Sequence, residues 1–265
     1  MHVAEQLMLP CQPRVLALLM RELLAEAPPM RRVNQLFSAD PVLAAYLMES
    51  ANSSAFQMAG QVRCIAQAVV LLGDRPLRAL LKRAQQALAA RSSSGVDMAL
   101  FARVSHDAAK RARSLAAIVG LNGSAAYTAA LLHGMGQLIL HHAQPEQTRK
   151  LSLEVDLWDP RRPRLENKHW GYSASSTTAA LMRQWALPLD MVAAIKAMDA
   201  PMAHPEFDPM AGVLHLAAWC SRAKFSGWSE RVMADAFPVE VALALGVDVD
   251  VVLQTETIDW RQSIY

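Results

Sequence analysis

Cysteine is scarce in this 265-residue chain: Cys11, Cys64 and Cys220 stand far apart, odd in number, with no CxxC pair. That speaks against a secreted disulfide framework and fits buried thiols in a reducing cytosol. Charge is sparse too, at 19% of residues with a net value of +2, while 53% are hydrophobic. The combination excludes a chain that is mainly disordered and a surface that is a polyanion trap throughout. No apolar run approaches the roughly 18 residues a membrane span requires. The residues Met1 to Gln6 lack a basic n-region and meet Pro10 and Pro13 early, so no signal peptide is expected. There is no GxSxG, no glycine-rich phosphate loop ending in Lys-Ser/Thr, and no HExxH, which removes the usual enzyme signatures. Alternating runs that would read as strands, internal repeats and low-complexity tracts are also missing.

What is present repeats at helical period. A chain this long can bury about three quarters of its unfolded surface without a disulfide or metal staple. Its mean hydropathy of +0.13 comes from Ala and Leu spread around helices. Apolar positions recur at three and four from Arg14 to Ala27, and Pro28-Pro29 is expected to stop that helix. A short helix over 30–37 follows. Asp40-Pro41 is a start signal, a capping carboxylate before a proline at the first helical position. Residues 65–72 are apolar nearly all round and are expected in the interior. Gly73 then permits a sharp change of direction, and Asp74 can cap a helix to Ala90. Arg91-Ser92-Ser93-Ser94-Gly95 is the clearest linker by composition. Residues 98–119 form the longest regular helix, with Phe101, Val104, Ala108, Ala112, Leu115 and Val119 on one face. Ser124 can cap a helix over 125–133. The stretch 143–170, holding Pro145, Pro160 and Pro163, reads as loop, and Arg161-Arg162-Pro163-Arg164 as a solvated basic part of it. Helices over 177–185, 189–198, 210–222 and 240–245 complete an all-α reading. The expected division is an N-terminal helical subdomain (1–92), a second helical subdomain (96–222) and an acidic C-terminal extension (223–265).

Several spaced signatures coincide. Leu9-Pro10 with Pro13 opens the chain, then come Asp40-Pro41-Val42-Leu43, Ala51-Asn52-Ser53, Ile65, Ala68 and Leu71-Leu72-Gly73. Later come Ala130-Leu131-Leu132-His133-Gly134-Met135-Gly136-Gln137-Leu138 and Trp185-Ala186-Leu187-Pro188, with a weaker echo at Leu214 to Ala217. Their order and spacing resemble the bacterial HDOD family, the divergent branch of the HD-domain phosphohydrolases, over about 9–201. The resemblance implies an HD-like helical bundle in a bacterial cytosol, associated with signal transduction.

HD-type enzymes hold metal with an upstream His, an adjacent His-Asp pair and a downstream Asp. Such donors bind a divalent ion that turns a bound water into hydroxide near neutral pH. Here the upstream His matches His106 and the paired His matches His133, but the paired Asp is Gly134 and the downstream Asp is Ala218. Further polar positions used by some relatives fall at Ala174 and Met198-Asp199. Gly134 and Gly136 are expected to keep the backbone turn while the ligand is gone. His106 lies about 140° around its helix from the Phe101/Leu115 stripe, on an alanine-rich face that could meet a second interface. Two imidazoles without carboxylates make a poor metal site, so no metal, cofactor or catalytic residue is expected.

The other histidines read plainly. His141-His142 close an apolar helix where a cation suits the dipole, and His169, His204 and His215 lack a second ligand at helical spacing. The many methionines read as core and Trp185 as a packing anchor. Charge is uneven: residues 61–120 carry +7 and residues 225–265 carry −5. Arg75, Arg78 and Lys82 share a helix face that could meet an anion or a partner, although a solvated face is the plainer reading. Basic clusters without interleaved aromatics are weak evidence for nucleic acid.

The leading expectation is a non-catalytic, cytoplasmic regulatory module that contacts other signalling proteins. By family analogy these are response regulators or cyclic-dinucleotide enzymes. The alternatives are a residual phosphohydrolase using His106 and His133, with Asp107 a poor substitute carboxylate, or a nucleotide sensor using the vacated cleft or the Arg75/Arg78/Lys82 face.

Overall fold

A computed structural model of the chain describes residues 9–89, 95–203 and 205–254. Every regular element among them is helical, as the periodicity indicates. The linker residues 91–94 and His204 lie outside the described residues.

The N-terminal half contains α1 (Pro13–Glu22), α2 (Met30–Phe37), α3 (Pro41–Ala51), α4 (Ile65–Leu72) and α5 (Asp74–Ala89). Helix α1 ends before Pro28-Pro29, so the prolines follow a turn already made. Asp40 does cap α3: its Oδ1 accepts from the Val42 and Leu43 amides at 2.9 Å. Its Oδ2 accepts from the Gln12 amide at 2.6 Å, so one buried carboxylate also ties the start of α1 to α3. Helix α3 is buried on nearly every side from Pro41 to Met48, which makes it the centre of this half. Helix α4 departs from the sequence expectation. Ile65, Ala68, Val69 and Leu72 are buried, but Val70 is 77% exposed, so an all-round apolar helix covers the core with one face only. Helix α5 begins at Asp74, whose carboxylate pairs with Arg78 one turn later rather than acting as a cap.

The second half is built on α6 (Met98–Ile118), which packs along α7 (Gly123–Leu132) on one side and α13 (Pro209–Phe225) on another. Between these come α8 (Met135–Ala143), α9 (Pro145–Glu154), α10 (Arg162–Trp170), α11 (Ala174–Gln184) and α12 (Leu189–Ala197). The cap of α7 is Asn122, not Ser124; its Oδ1 accepts from the Ser124 and Ala125 amides at 3.0 Å. The stretch read as loop holds α9 and α10. Pro145 and Pro163 sit in the first turns of these helices, where a missing N–H costs nothing, so prolines that suggested breaks mark starts.

Helices α14 (Glu230–Asp235), α15 (Val239–Leu245) and α16 (Val249–Gln254) follow. Trp219 of α13 meets Trp228 and Phe237 edge-on at 6.1 and 5.6 Å, which seats the described part of the acidic extension on α13. One apolar core runs without interruption from Leu9 to Val252. No helix among the described residues is long and apolar enough to cross a membrane.

Candidate functional site: a degenerate metal cleft

His133 closes α7 and is buried. Its Nδ1 lies 2.6 Å from the Ala130 carbonyl, which can only accept, so that nitrogen carries the proton. Gly134 follows with φ −84° and ψ −2°, a right-handed conformation open to any residue. Glycine there is not a demand of the turn, contrary to the sequence reading. Packing leaves little room rather than none: a Cβ on Gly134 would lie 3.1 Å from the Phe101 ring of α6.

Gly136 is a sharper case. A Cβ there would lie 2.0 Å from the Ala174 carbonyl oxygen, so α8 and α11 touch backbone to backbone. The Gly136 amide donates to Thr178 Oγ1 at 2.8 Å, and that hydroxyl lies 2.8 Å from the His133 carbonyl. Ala174, one of the further HD positions, serves as this contact surface.

His106 is placed apart from this arrangement. The α6 face turned to Gly134 carries Phe101 and Ser105, and the next residue points about 100° away. His106 Nδ1 instead lies 3.0 Å from the Tyr127 hydroxyl, which donates to the Ser38 carbonyl at 2.8 Å. This is the second interface its alanine-rich face suggested, and it joins α6 and α7 to the end of α2. Asp107, the substitute carboxylate, turns the other way. It accepts from Arg111 Nε, Ser221 Oγ and Lys224 Nζ at 2.8, 2.6 and 3.1 Å, locking α6 to α13.

Ala218 lies on α13 between His215, three residues before, and Arg222, four after; helical spacing puts all three on one face. They line a cavity of about 80 Å³ together with Arg164, Met198 and Asp199. His215 Nδ1 lies 2.7 Å from the Met198 carbonyl. Asp199 accepts from the hydroxyls of Ser173 and Ser175 at 2.5 and 2.9 Å. Arg222 is 5% exposed, and its Nε has no partner.

Beneath the cleft lies a polar group the sequence reading missed. Arg162, taken there as solvated, is 0% exposed on α10, and so is Glu166 one turn later. Arg162 Nε donates to Glu166 Oε1 at 3.2 Å, Gln137 Nε2 donates to the same oxygen at 2.7 Å, and the Ala174 amide donates to Oε2 at 2.8 Å. The i,i+4 spacing of Arg162 and Glu166 was the available signal.

The remaining candidates stay apart from the cleft. Arg75 and Lys82 are exposed on α5 and Arg78 pairs with Asp74, so this face is partly neutralised within its own helix. His141 Nδ1 meets the Gln137 carbonyl at 2.8 Å in the last turn of α8, and His142 is exposed. His169 pairs with Glu154 at the surface. A roomier cavity of about 510 Å³ lies between α2, the start of α4 and the α6–α7 pair, with Arg113 stacked 4.1 Å over Tyr127 at its wall.

The donors in the cleft do not fit the divalent ion of HD enzymes. Among the described residues no group of three or more His, Cys, Asp or Glu could hold a metal. Both matched carboxylate positions lack oxygen donors, and a buried guanidinium stands on the same face as Ala218. A fixed cation there repels a dication, and Asp199, the one carboxylate lining that cavity, is held by the Ser173 and Ser175 hydroxyls.

The buried imidazoles give the protein a pH dependence. His133 is pulled down from 6.5 to about 4, first by burial and then by the nearby Arg222 charge, against the Ala130 bond. Burial, with Lys110 next, lowers His106 to about 4 as well. Both are neutral when folded at pH 7. Below pH 6.5 the unfolded chain takes up protons that the folded chain refuses, so stability present above 6.5 is lost as pH falls toward 4. For His133 the loss is about 3 kcal/mol over that window. Urea unfolding at pH 7.0 and 5.0 should show it, and His133→Asn should flatten the slope; an unchanged slope would refute the assignment.

The HDOD domain model matches residues 9–201. No curated protein matches the chain. Among solved structures, the MmoQ response regulator of Methylococcus capsulatus str. Bath is similar at a TM-score of 0.70 and 22% identity, over 93% of this chain and 98% of that one. A virulence factor of Campylobacter jejuni is similar at 0.62 and 16%, over 89% and 90%. A candidate phosphohydrolase of Shewanella amazonensis SB2B is similar at 0.52 and 25%, over 92% and 88%. With the family model covering most of its length and an all-helical HD-like architecture beneath it, the chain belongs to the HDOD domain family.

Proposed function

We propose that this chain is a non-catalytic regulatory module of bacterial signal transduction, working in the cytoplasm by presenting helical surfaces to other signalling proteins. The observation that carries the non-catalytic part is the cleft itself. Gly134 and Ala218 stand at the carboxylate positions, and the buried Arg222 cation stands one turn from Ala218. Metal-dependent hydrolysis needs an ion held by oxygen and nitrogen donors, and this donor set repels one. Response regulators or cyclic-dinucleotide enzymes are the partner classes that the family resemblance suggests.

The similarity to a candidate phosphohydrolase favours a second reading, residual hydrolysis, and the two differ in what they predict. Purified protein should hold no stoichiometric divalent metal. It should turn over neither nucleotides nor cyclic dinucleotides with Mn²⁺, Mg²⁺ or Zn²⁺ added, and it should co-elute with a response regulator of its own organism. Metal bound one-to-one and lost in His133→Ala, with turnover above the metal-only control, would establish the second reading instead.

A further inference from the structure

Arg222 poses a physical problem that the loss of catalysis does not solve. Its side chain is 95% removed from solvent, as its 5% exposure states, yet among the described residues it has no hydrogen-bond or ion-pair partner. A buried, unpaired guanidinium is among the costliest arrangements in a folded protein. The neighbouring acids attract it but do not bond to it. Asp159 senses the Arg222 charge, but its two oxygens are taken by Arg161 at 2.9 and 2.7 Å. Glu166 answers the second buried cation, Arg162. Asp199 holds the hydroxyls of Ser173 and Ser175.

The cavity beside Arg222 has the chemistry of a receptor. At about 80 Å³ it takes a group the size of a single phosphate and excludes a nucleoside. Its lining carries donors, Arg222 with Arg164. It also carries acceptors. His215 Nδ1 is committed as a donor to the Met198 carbonyl, so the neutral ring leaves Nε2 as a lone pair. The Asp199 carboxylate lines the same space. An oxyanion seated among donors and acceptors must carry a proton to meet the acceptors. Phosphate carries one at neutral pH and sulfate does not.

We propose that the cavity at the Ala218 position is a binding site for a protonated phosphoryl group, with the Arg222 guanidinium as its principal donor and Asp199 and His215 as acceptors. The group can be free inorganic phosphate or the end of a phosphate monoester whose remainder projects outside. This inference does not depend on which partner the module serves.

Thermal unfolding and calorimetric titration of the full chain in phosphate-free buffer test it, with inorganic phosphate, sulfate and glycerol phosphate as separate probes. Inorganic phosphate at tenfold over its dissociation constant should raise the midpoint by about 3 °C, and sulfate should not. Glycerol phosphate is titrated at pH 6, where about half of it carries the proton that it largely lacks at pH 7; binding there at least as tight as that of inorganic phosphate identifies a monoester end, and binding only by inorganic phosphate identifies the free ion, and either supports the site. Arg222→Met should abolish the shift without lowering the midpoint in phosphate-free buffer, since no protein partner is orphaned. Asp199→Asn should reduce phosphate affinity about tenfold and admit sulfate. No shift with any probe at 20 mM overturns the proposal. So do equal shifts with phosphate and sulfate in the unsubstituted chain, or a shift that survives Arg222→Met.

Discussion

Gly136→Ala is expected to destabilise the protein by about 3 kcal/mol or more, although alanine is the better helix former by about 1 kcal/mol. Gly136 lies inside α8, where propensity alone favours the change. The opposing effect is contact with backbone. The added carbon would sit 2.0 Å from the Ala174 carbonyl oxygen and 3.0 Å from the Thr178 amide nitrogen, and no rotamer relieves it. Helices α8 and α11 would have to separate, breaking the 2.8 Å bond from the Gly136 amide to Thr178 Oγ1. Gly134→Ala is the control. Its new carbon meets only the edge of the Phe101 ring at 3.1 Å, which can give by a few tenths of an ångström. Its cost should stay under about 1 kcal/mol. Urea unfolding of the two variants measures the difference, and equal midpoints would show that the α8–α11 contact is not what fixes glycine at 136.

The two glycines also show what the sequence could convey. The motif from Ala130 to Leu138 marked the turn between α7 and α8, where the His133 carbonyl and the Gly136 amide meet Thr178 of α11, and the lack of a carboxylate at Gly134 and Ala218 was readable directly. Helical periodicity placed α2 and α6 nearly residue by residue, since each has an apolar face, and the Asp40-Pro41 signal placed the start of α3. The failures have a common cause: a residue type whose local tendency was outweighed by its neighbours in space. Prolines in 143–170 looked like breaks because nothing local distinguishes a first-turn proline from a loop proline. Arg162 looked solvated because its partners Glu166, Ser152 and the Val155 carbonyl come from two helices and a turn. Arg222 was invisible for a different reason. Its oddity is the lack of a partner, and a sequence cannot show which contacts are missing.

Arg162→Ala should be the other large effect, at about 3–5 kcal/mol, because it leaves the Glu166 carboxylate buried without its cation. The arginine also fills a fully enclosed space and donates to the Val155 carbonyl at 3.0 Å. Truncation alone therefore confounds charge with volume, and a cycle with Arg162→Met and Glu166→Gln separates them. Met keeps most of the volume. Gln at 166 can accept from the Ala174 amide and turn its own amide toward Gln137, whose Oε1 has no partner among the described residues. The double variant Arg162→Met/Glu166→Gln should accordingly recover much of what Arg162→Met loses, with a coupling energy of about 2 kcal/mol by urea unfolding. Strict additivity would mean that the pair contributes only packing. Strong coupling would mean that a neutral strut can replace the ionic one linking α8, α10 and α11. In that case the phosphate response of the cleft should survive in the double variant, because Arg222, Asp199 and His215 keep their supports on α11, α12 and α13.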